Sequence, residues 1–435
     1  MRDGKRVRKS LFSLLFCLAS LMDQPPSLLA KEEVSMSWEQ LLNEASKVER
    51  KSPAFAEAEG FGALTQGGRS GKLLKVNTLE DSEKEGSLRW AVNQKYPRII
   101  EFAVEGLLSL NSNLYIKEPF ITIDGSTAPG NGVTIKDGSL RVVNTHDVIL
   151  RYLKVRPGDE VALKKGRWKK TKREGGAPED AISVDESAYV IVDHCSTSWG
   201  SDELLSVKDS AYVTVQWCFI TEPLANPKLH IENGKEISHP YCSLQSGKNI
   251  SYIKNLFAYL KIRAPQVVGS ELVSETNMEV VNSYVSRYTE SGARIKVLND
   301  GSKVHLQGNY YENPLLDRAS PIEILPDLAL QGPLKNYRIY LNDNVALKGN
   351  QEQRDWDIVD IDKLLDIKAA QATAPLFVSS SKPLPASQVK STLFARGGAI
   401  LPKRDPVDAR IIKQLSKGRG ELVNSQEEVG GYPKT

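Results

Sequence analysis

SAYVIVDHCS at 187–196 and SAYVTVQWCF at 210–219 decide the fold. The two stretches share Ser-Ala-Tyr-Val, the valine two places on and the cysteine, at an offset of 23 residues. Each is a short alternating run with β-branched residues, the pattern of a single strand. Self-similarity at such a period marks a solenoid, and the offset leaves room for about three short strands with their turns in each coil. Runs of the same kind recur as FITIDG from 120, DVILRYLKV from 147, NISYIKNLF from 249, MEVVNSYV from 278 and KVHLQGNYY from 303, and none carries a helical apolar stripe. A propeller blade needs about 40 residues, and a sandwich needs no repeat at all. The expected fold class is all-β: a parallel β-helix, or solenoid, with capping segments at its ends.

Register details follow from the same repeat. Asn255, Asn282 and Asn309 are spaced 27 residues apart, which predicts a ladder of stacked amides. Cys195 and Cys218 occupy equivalent positions one coil apart, and stacked buried thiols are expected there in place of a disulfide. Open coil ends must be covered. SWEQLLNEASKVE at 37–49 and DARIIKQLSKG at 408–418 read as helices suited to that task. The expected organisation is a signal peptide at 1–30, an N-terminal segment with a helical cap at 31–54, the β-helix at 55–315 and a wrapping tail at 316–435.

The signal-peptide reading rests on Arg2, Lys5, Arg6, Arg8 and Lys9 followed by the apolar run LFSLLFCLASLM at 11–22, too short to span a bilayer. Export with no lasting membrane anchor is expected. The whole chain carries a formal charge of +3, and removing 1–30 takes five basic and two acidic residues, leaving a formally neutral remainder. Global charge thus gives no ground for nucleic-acid binding, and attraction for a polyanion must be local. KKGRWKKTKR at 164–173 puts seven cations around Trp168 and is such a patch. Three cysteines remain after export, an odd number, which excludes a disulfide scaffold. The chain is expected to act as a monomer.

The chemistry points to PEDAISVD at 178–185 and SWGSDELLSV at 198–207, which the repeat brings together from neighbouring coils. Ca²⁺ takes about six to eight oxygen ligands, and Asp180, Asp202 and Glu203, with Ser206 or water, supply part of such a shell. The five histidines, His146, His194, His230, His239 and His305, lack the close spacing of a metal motif and are read as structural.

Taken in order, AEGFGALTQGG, GSLRWAV, PRIIEFAVEGLLSL, TIDGSTAPGNGV, DVILRYLKVRPGD, EDAISVD, VIVDHCSTSWGSDE and NLFAYLKIRAP resemble the pectate lyases of polysaccharide lyase family 1, over residues 55 to 315. The terminal stretch at 405–433 is similar to the C-terminal signature of one bacterial branch. The resemblance implies a right-handed parallel β-helix that binds Ca²⁺ in a surface groove and cleaves polygalacturonate, the pectin backbone, by β-elimination. It makes Asp180 and Asp202 calcium ligands and Arg263 the base that takes the C5 proton. Ser206 stands where the family has another aspartate, with Glu203 as a substitute oxygen donor. Gln266 and Val268, in RAPQVV, stand where the family has basic residues. The family's groove lysine is matched by Lys228, with Lys235 and His239 as competitors. Two other readings stay open: a polygalacturonase-type hydrolase using paired carboxylates, and a catalytically weakened carbohydrate-binding solenoid.

Overall fold

Short strands stacked in register build three parallel ladders. The computed structural model describes residues 36–164, 180–232, 235–270, 272–273, 275–296, 301–314, 318–326, 337–348, 351–363, 365 and 367–433. The expected signal peptide and nearly all of the basic segment 164–173 lie outside the described residues.

The first ladder runs through Leu114–Ile116, Leu140–Val143, Ile182–Asp185, the start of Leu205–Gln216, the start of Leu244–Ile253, Gln266–Val267, Ser291–Lys296, Ser320–Leu325 and Val359–Ile361. The second begins at Lys72–Val76, passes through His146–Arg151 and Ala188–Asp193, and ends at Gln371–Ala372. The third extends from Gly106–Ser109 to Val345–Lys348, where an antiparallel partner, Gln351–Arg354, closes it. The 23-residue offset is the observed register: Ala188 pairs Ala211 and Val190 pairs Val213. Inward residues of all three ladders, from Val76 to Ile339, form one apolar core.

The bend between the second and third ladders requires a left-handed residue in coil after coil. Tyr152, His194, Trp217, Lys254, Asn282 and Asp343 hold φ between 48° and 58° there, at 53°, 50°, 56°, 56°, 54° and 56°. Only glycine adopts this region freely, so local strain is accepted to keep the coils superimposed. Tyr152, His194 and Trp217 then stack at 5.0 and 5.6 Å along the turn.

Of three register expectations from the sequence, one holds and two change. Cys195, Cys218 and Cys242 are free, buried thiols, and Cys195 and Cys218 are stacked as expected. The asparagine ladder exists but without Asn282. Leu256 pairs Tyr284 and Tyr284 pairs Tyr310, so the coils measure 28 and then 26 residues. Their mean of 27 disguises the register, which stacks Asn255, Ser283, Asn309 and Asn344. Asn309 Nδ2 donates to Asn344 Oδ1 at 2.8 Å, while Asn282 sits in the bend and bonds Leu384. The ladders also continue beyond residue 315, through Ser320–Leu325 and Arg338–Asn342. The coil from Tyr310 to Val345 spans 35 residues, which is why no repeat is legible there.

Covering segments dictate which face stays open. Residues 59–68 cross the second ladder, with Gly62 N donating to Thr214 Oγ1 at 2.8 Å and Gly68 N to Thr122 Oγ1 at 2.9 Å. A Cβ on Gly62 would lie 2.4 Å from Val190 O and one on Gly68 only 1.8 Å from Arg98 O, so the close approach demands glycine. Residues 376–384 continue this cover, Leu384 N donating to Asn282 Oδ1 at 2.6 Å. Helix Trp38–Ser46 buries Leu41 and Ala45 and meets the strands His146–Arg151 and Ala188–Asp193. It therefore covers a flank, where an end cap was expected. The end coil is closed by helix Leu88–Val92 and by buried Arg98, which donates to the carbonyls of Ala91, Val92, Pro119 and Glu118. Burial pulls the Arg98 guanidinium down to about 10.

Helices Ala386–Arg396 and Pro406–Ser416 cover the third ladder, packing Val389, Leu393, Val407, Ile411 and Leu415 on Phe219, Leu256 and Tyr284. Asp405 caps the second of these helices and, with Asp408, pairs the fully buried Arg156. Among the described residues these covers leave the outer face of the first ladder to the turns that enter it from the third.

Candidate active site

Four consecutive coils contribute to one cluster on those turns. Asp180 immediately precedes strand Ile182–Asp185 and accepts the Glu203 N–H at 3.0 Å. Asp202 and Glu203 lie one coil on, just before strand Leu205–Gln216. Tyr241 lies on the next coil, where Leu204 N donates to Cys242 O at 2.8 Å. Arg263 lies on the fourth, its carbonyl accepting from Ser243 N at 2.9 Å.

Asp180, Asp202 and Glu203 offer carboxylate oxygens within 4.8 Å of one another. Burial, then repulsion from Glu203 and Asp202, holds the Asp180 carboxyl well above the ordinary range. Burial and Asp202 also raise Glu203, with Arg263 opposing. Acids crowded in this way favour a bound cation, because like charges at such separations repel strongly away from bulk water. The donor set is all oxygen and so fits Ca²⁺, with further ligands to come from water or substrate.

Arg263 has a left-handed backbone, φ 72°. Two coil spacings separate it from Glu203, about 10 Å in a stack of strands. Its side chain spans this gap, with the guanidinium carbon 4.6 Å from the Tyr241 ring centre and Nη1 ion-paired with Glu203 Oε1. The bridge between Tyr241 and Ile262 fixes the two segments to each other. Arg263 Nε is buried with no hydrogen-bond partner among the described residues.

Ser206 is buried opposite Ser183, and its hydroxyl accepts the Leu244 N–H at 3.4 Å. Gln266 is buried and pairs in register with Arg294 on the next coil, which is bonded to Glu323 at 2.7 Å. Lys228 is exposed on the turn Pro227–Leu229, and Lys235 is exposed on a short hairpin. Among the described residues neither ammonium pairs with an acid of the cluster.

Two of the five histidines lie beside Asp202, although their spacing in the sequence sets them apart. His239 Nε2 lies 3.1 Å and His230 Nδ1 3.7 Å from Asp202 Oδ1. Their rings stack at 3.9 Å and 3°, with Tyr241 against His239 at 3.6 Å. The pair sits at the base of the hairpin Ile231–Glu232 and Lys235–Glu236, joined by Ile237 N donating to His230 O. Linear spacing hid this, yet Asn233-Gly234 is a strong hairpin signal that would have folded the two histidines together. By contrast His146 and His194 each bond a neighbouring aspartate in the framework.

No family model matches the chain. It is 30% identical over 392 residues to a protein named probable pectate lyase C from Emericella nidulans, covering 87% of this chain and 80% of that one. The like-named protein of Aspergillus terreus is 29% identical over 395 residues, with 87% and 81% covered. A solved thermostable pectate lyase superposes with a TM-score of 0.54 at 15% identity, over 79% of this chain and 97% of that one, a likeness of fold. None of the described helices is long and apolar enough to cross a membrane. Identity sustained across most of both sequences, on the same coiled architecture, means that this chain belongs to the pectate lyase family.

Proposed function

We propose that this protein cleaves α-1,4-linked polygalacturonate by Ca²⁺-dependent β-elimination, giving 4,5-unsaturated oligogalacturonates. The observation that carries the reading is the cluster itself, three crowded carboxylates with an arginine at their edge. Asp180, Asp202 and Glu203 would hold Ca²⁺, whose charge, drawn on by the uronate carboxylate, acidifies the C5–H bond. Arg263 takes that proton. The C5–H electrons become the C4=C5 double bond, the C4–O4 bond breaks, and the departing oxygen takes a proton from water. A guanidinium ordinarily titrates above about 12. Arg263, ion-paired with Glu203 in this structure, therefore works as a base only once the cation and substrate draw that carboxylate away from it. Lys228 is the candidate groove lysine for substrate carboxylates, and Ser206 a neutral member of the metal shell. Residues 1–30 direct export, and the mature chain acts as a monomer.

The test is product chemistry. Chain cleavage of polygalacturonate should produce ultraviolet-absorbing unsaturated ends in step with reducing ends, and chelator should stop both. Reducing ends without absorbance would mean hydrolysis, and neither would mean a binding protein.

A further inference from the structure

The covering segments leave a gap at the bend between the second and third ladders, a different corner of the coil from the carboxylate cluster. The segment around Glu57, the end of the cover at Lys382 and Leu384, and helix Ala386–Arg396 meet there around an open cavity of about 660 Å³, within the range of ligand pockets. Trp217 and, one coil on, Lys254 form its floor. His194 backs the Trp217 ring at 5.6 Å, while Lys254 Nζ and the Arg396 guanidinium carbon stand over it at 5.3 and 4.7 Å. The rim is fixed to the coils: Gln216 accepts the Glu59 N–H at 2.9 Å and donates to Glu57 O at 3.1 Å, and Gly398 N donates to Trp217 O at 2.7 Å. The cavity is thus preformed.

Charge decides what it can take. Glu59 is committed to Lys254 by an ion pair and to the Lys382 N–H at 2.8 Å. Glu57 is committed to Arg396 at 3.0 Å. Lys382 is exposed, and among the described residues its ammonium meets no acid. The lining therefore carries one positive charge in surplus. Ser391 and Thr392 add hydroxyls, and Leu384 and Ala395 add apolar surface. An anion with hydroxyls at its edge and C–H groups on its faces matches that lining, and this is the make-up of a uronic acid ring. We propose that the cavity is a second, non-catalytic site that holds a uronate unit of the polymer, with its carboxylate on Lys382, and so anchors the protein while the groove cleaves elsewhere along the same polymer. The inference rests on the reading of the substrate as a polyuronate. Once one site holds the polymer, the encounter with the other is intramolecular, so a weak second site suffices.

The test is calorimetric titration of trigalacturonate into the full chain with chelator present, which withdraws the cation that the groove needs for uronate. Saturable binding of one trimer per chain is expected. Lys382→Glu should weaken it at least about tenfold, the worth of a charge-assisted contact. Lys413→Glu, on the exposed side of helix Pro406–Ser416, makes the same change in net charge and should alter binding less than about twofold. Galactotriose, which lacks the carboxylates, should bind at least about tenfold more weakly than trigalacturonate. In cleavage assays Lys382→Glu should raise KM for polygalacturonate at least about threefold at unchanged kcat. Absence of chelator-resistant binding, binding indifferent to Lys382→Glu, or an equal loss in Lys413→Glu would overturn the proposal. Inorganic phosphate that displaces the trimer at equal concentration would overturn the uronate assignment and leave a general anion site. A fall in kcat in place of a rise in KM would overturn it too, because the substitution would then act in the groove. Binding is read without turnover, so a protein that holds the trimer through Lys382 yet forms no unsaturated ends refutes the lyase reading alone.

Discussion

Arg263 reaches back past Tyr241 to form an ion pair with Glu203, a residue two coils away that is also a member of the carboxylate cluster. The guanidinium and a bound cation therefore compete for one carboxylate. Arg263→Ala should tighten Ca²⁺ binding about three- to tenfold, in line with the loss of one partly desolvated charge contact. The same substitution in a Glu203→Gln background should change it less than about twofold. Calorimetric titration of the four proteins checks this, and an equal effect in both backgrounds would show that Arg263 acts on the ion without Glu203.

Ser206 offers a second test at the same centre. It is buried beside the carboxylates' strand and bonds only weakly to Leu244 N, at 3.4 Å. Ser206→Asp adds an oxygen donor of full charge, and Ca²⁺ affinity should rise about tenfold, since charge count tunes such sites. Unchanged affinity in a folded variant would place Ser206 outside the ion's reach.

His305 links pH to the covering segment 376–384. Its Nε2 accepts the Leu376 N–H at 2.8 Å, and its ring stacks on Phe377 at 3.7 Å. Burial pushes the imidazole down to about 4. The unfolded chain takes up this proton near 6.5 while the folded chain resists it, so stability present above that pH is lost as pH falls from about 6.5 to 4. His305→Gln keeps an acceptor and does not titrate. Thermal unfolding of the wild type should fall relative to this variant across that window, and parallel curves would contradict the assignment.

The tail is a clasp on the coils. Arg156 is fully buried between Asp405 and Asp408, and Ser196 Oγ donates to Asp408 Oδ2 at 2.5 Å. Breaking a buried pair strands the remaining charge, so Arg156→Ala, which leaves Asp405 and Asp408 buried without their cation, should cost about 3–5 kcal/mol. Urea unfolding monitored by circular dichroism measures it, and a loss below about 1 kcal/mol would show that the clasp is replaceable.

What could be read from the chain depended on how local the repeat was. The pairing of Ala188 with Ala211 was legible because two adjacent coils share one length and nearly one sequence. Asn282 misled because coils of 28 and 26 residues average to a false period, and the strands after 315 vanished inside a 35-residue coil. Asp180, Asp202 and Glu203 came together as expected because each abuts a strand whose register is fixed. His239 reaches Asp202 through a hairpin, and Arg263 reaches Glu203 by the length of its side chain. Neither distance is written in a period. The covers at 59–68 and 376–384 are tertiary features; the first leaves a local trace in glycines where a Cβ would collide, and the second contains no glycine.

Elimination with Arg263 as the base leaves an optical signature. The most direct measurement is ultraviolet absorbance of unsaturated ends formed from polygalacturonate, wild type against Arg263→Ala, with cation bound to each as shown by dialysis. The expected result is steady growth of absorbance in the wild type and a rate at least about 10²-fold lower in the variant, the loss typical of removing a general base. Equal rates, or reducing ends formed by the wild type without absorbance, would contradict it.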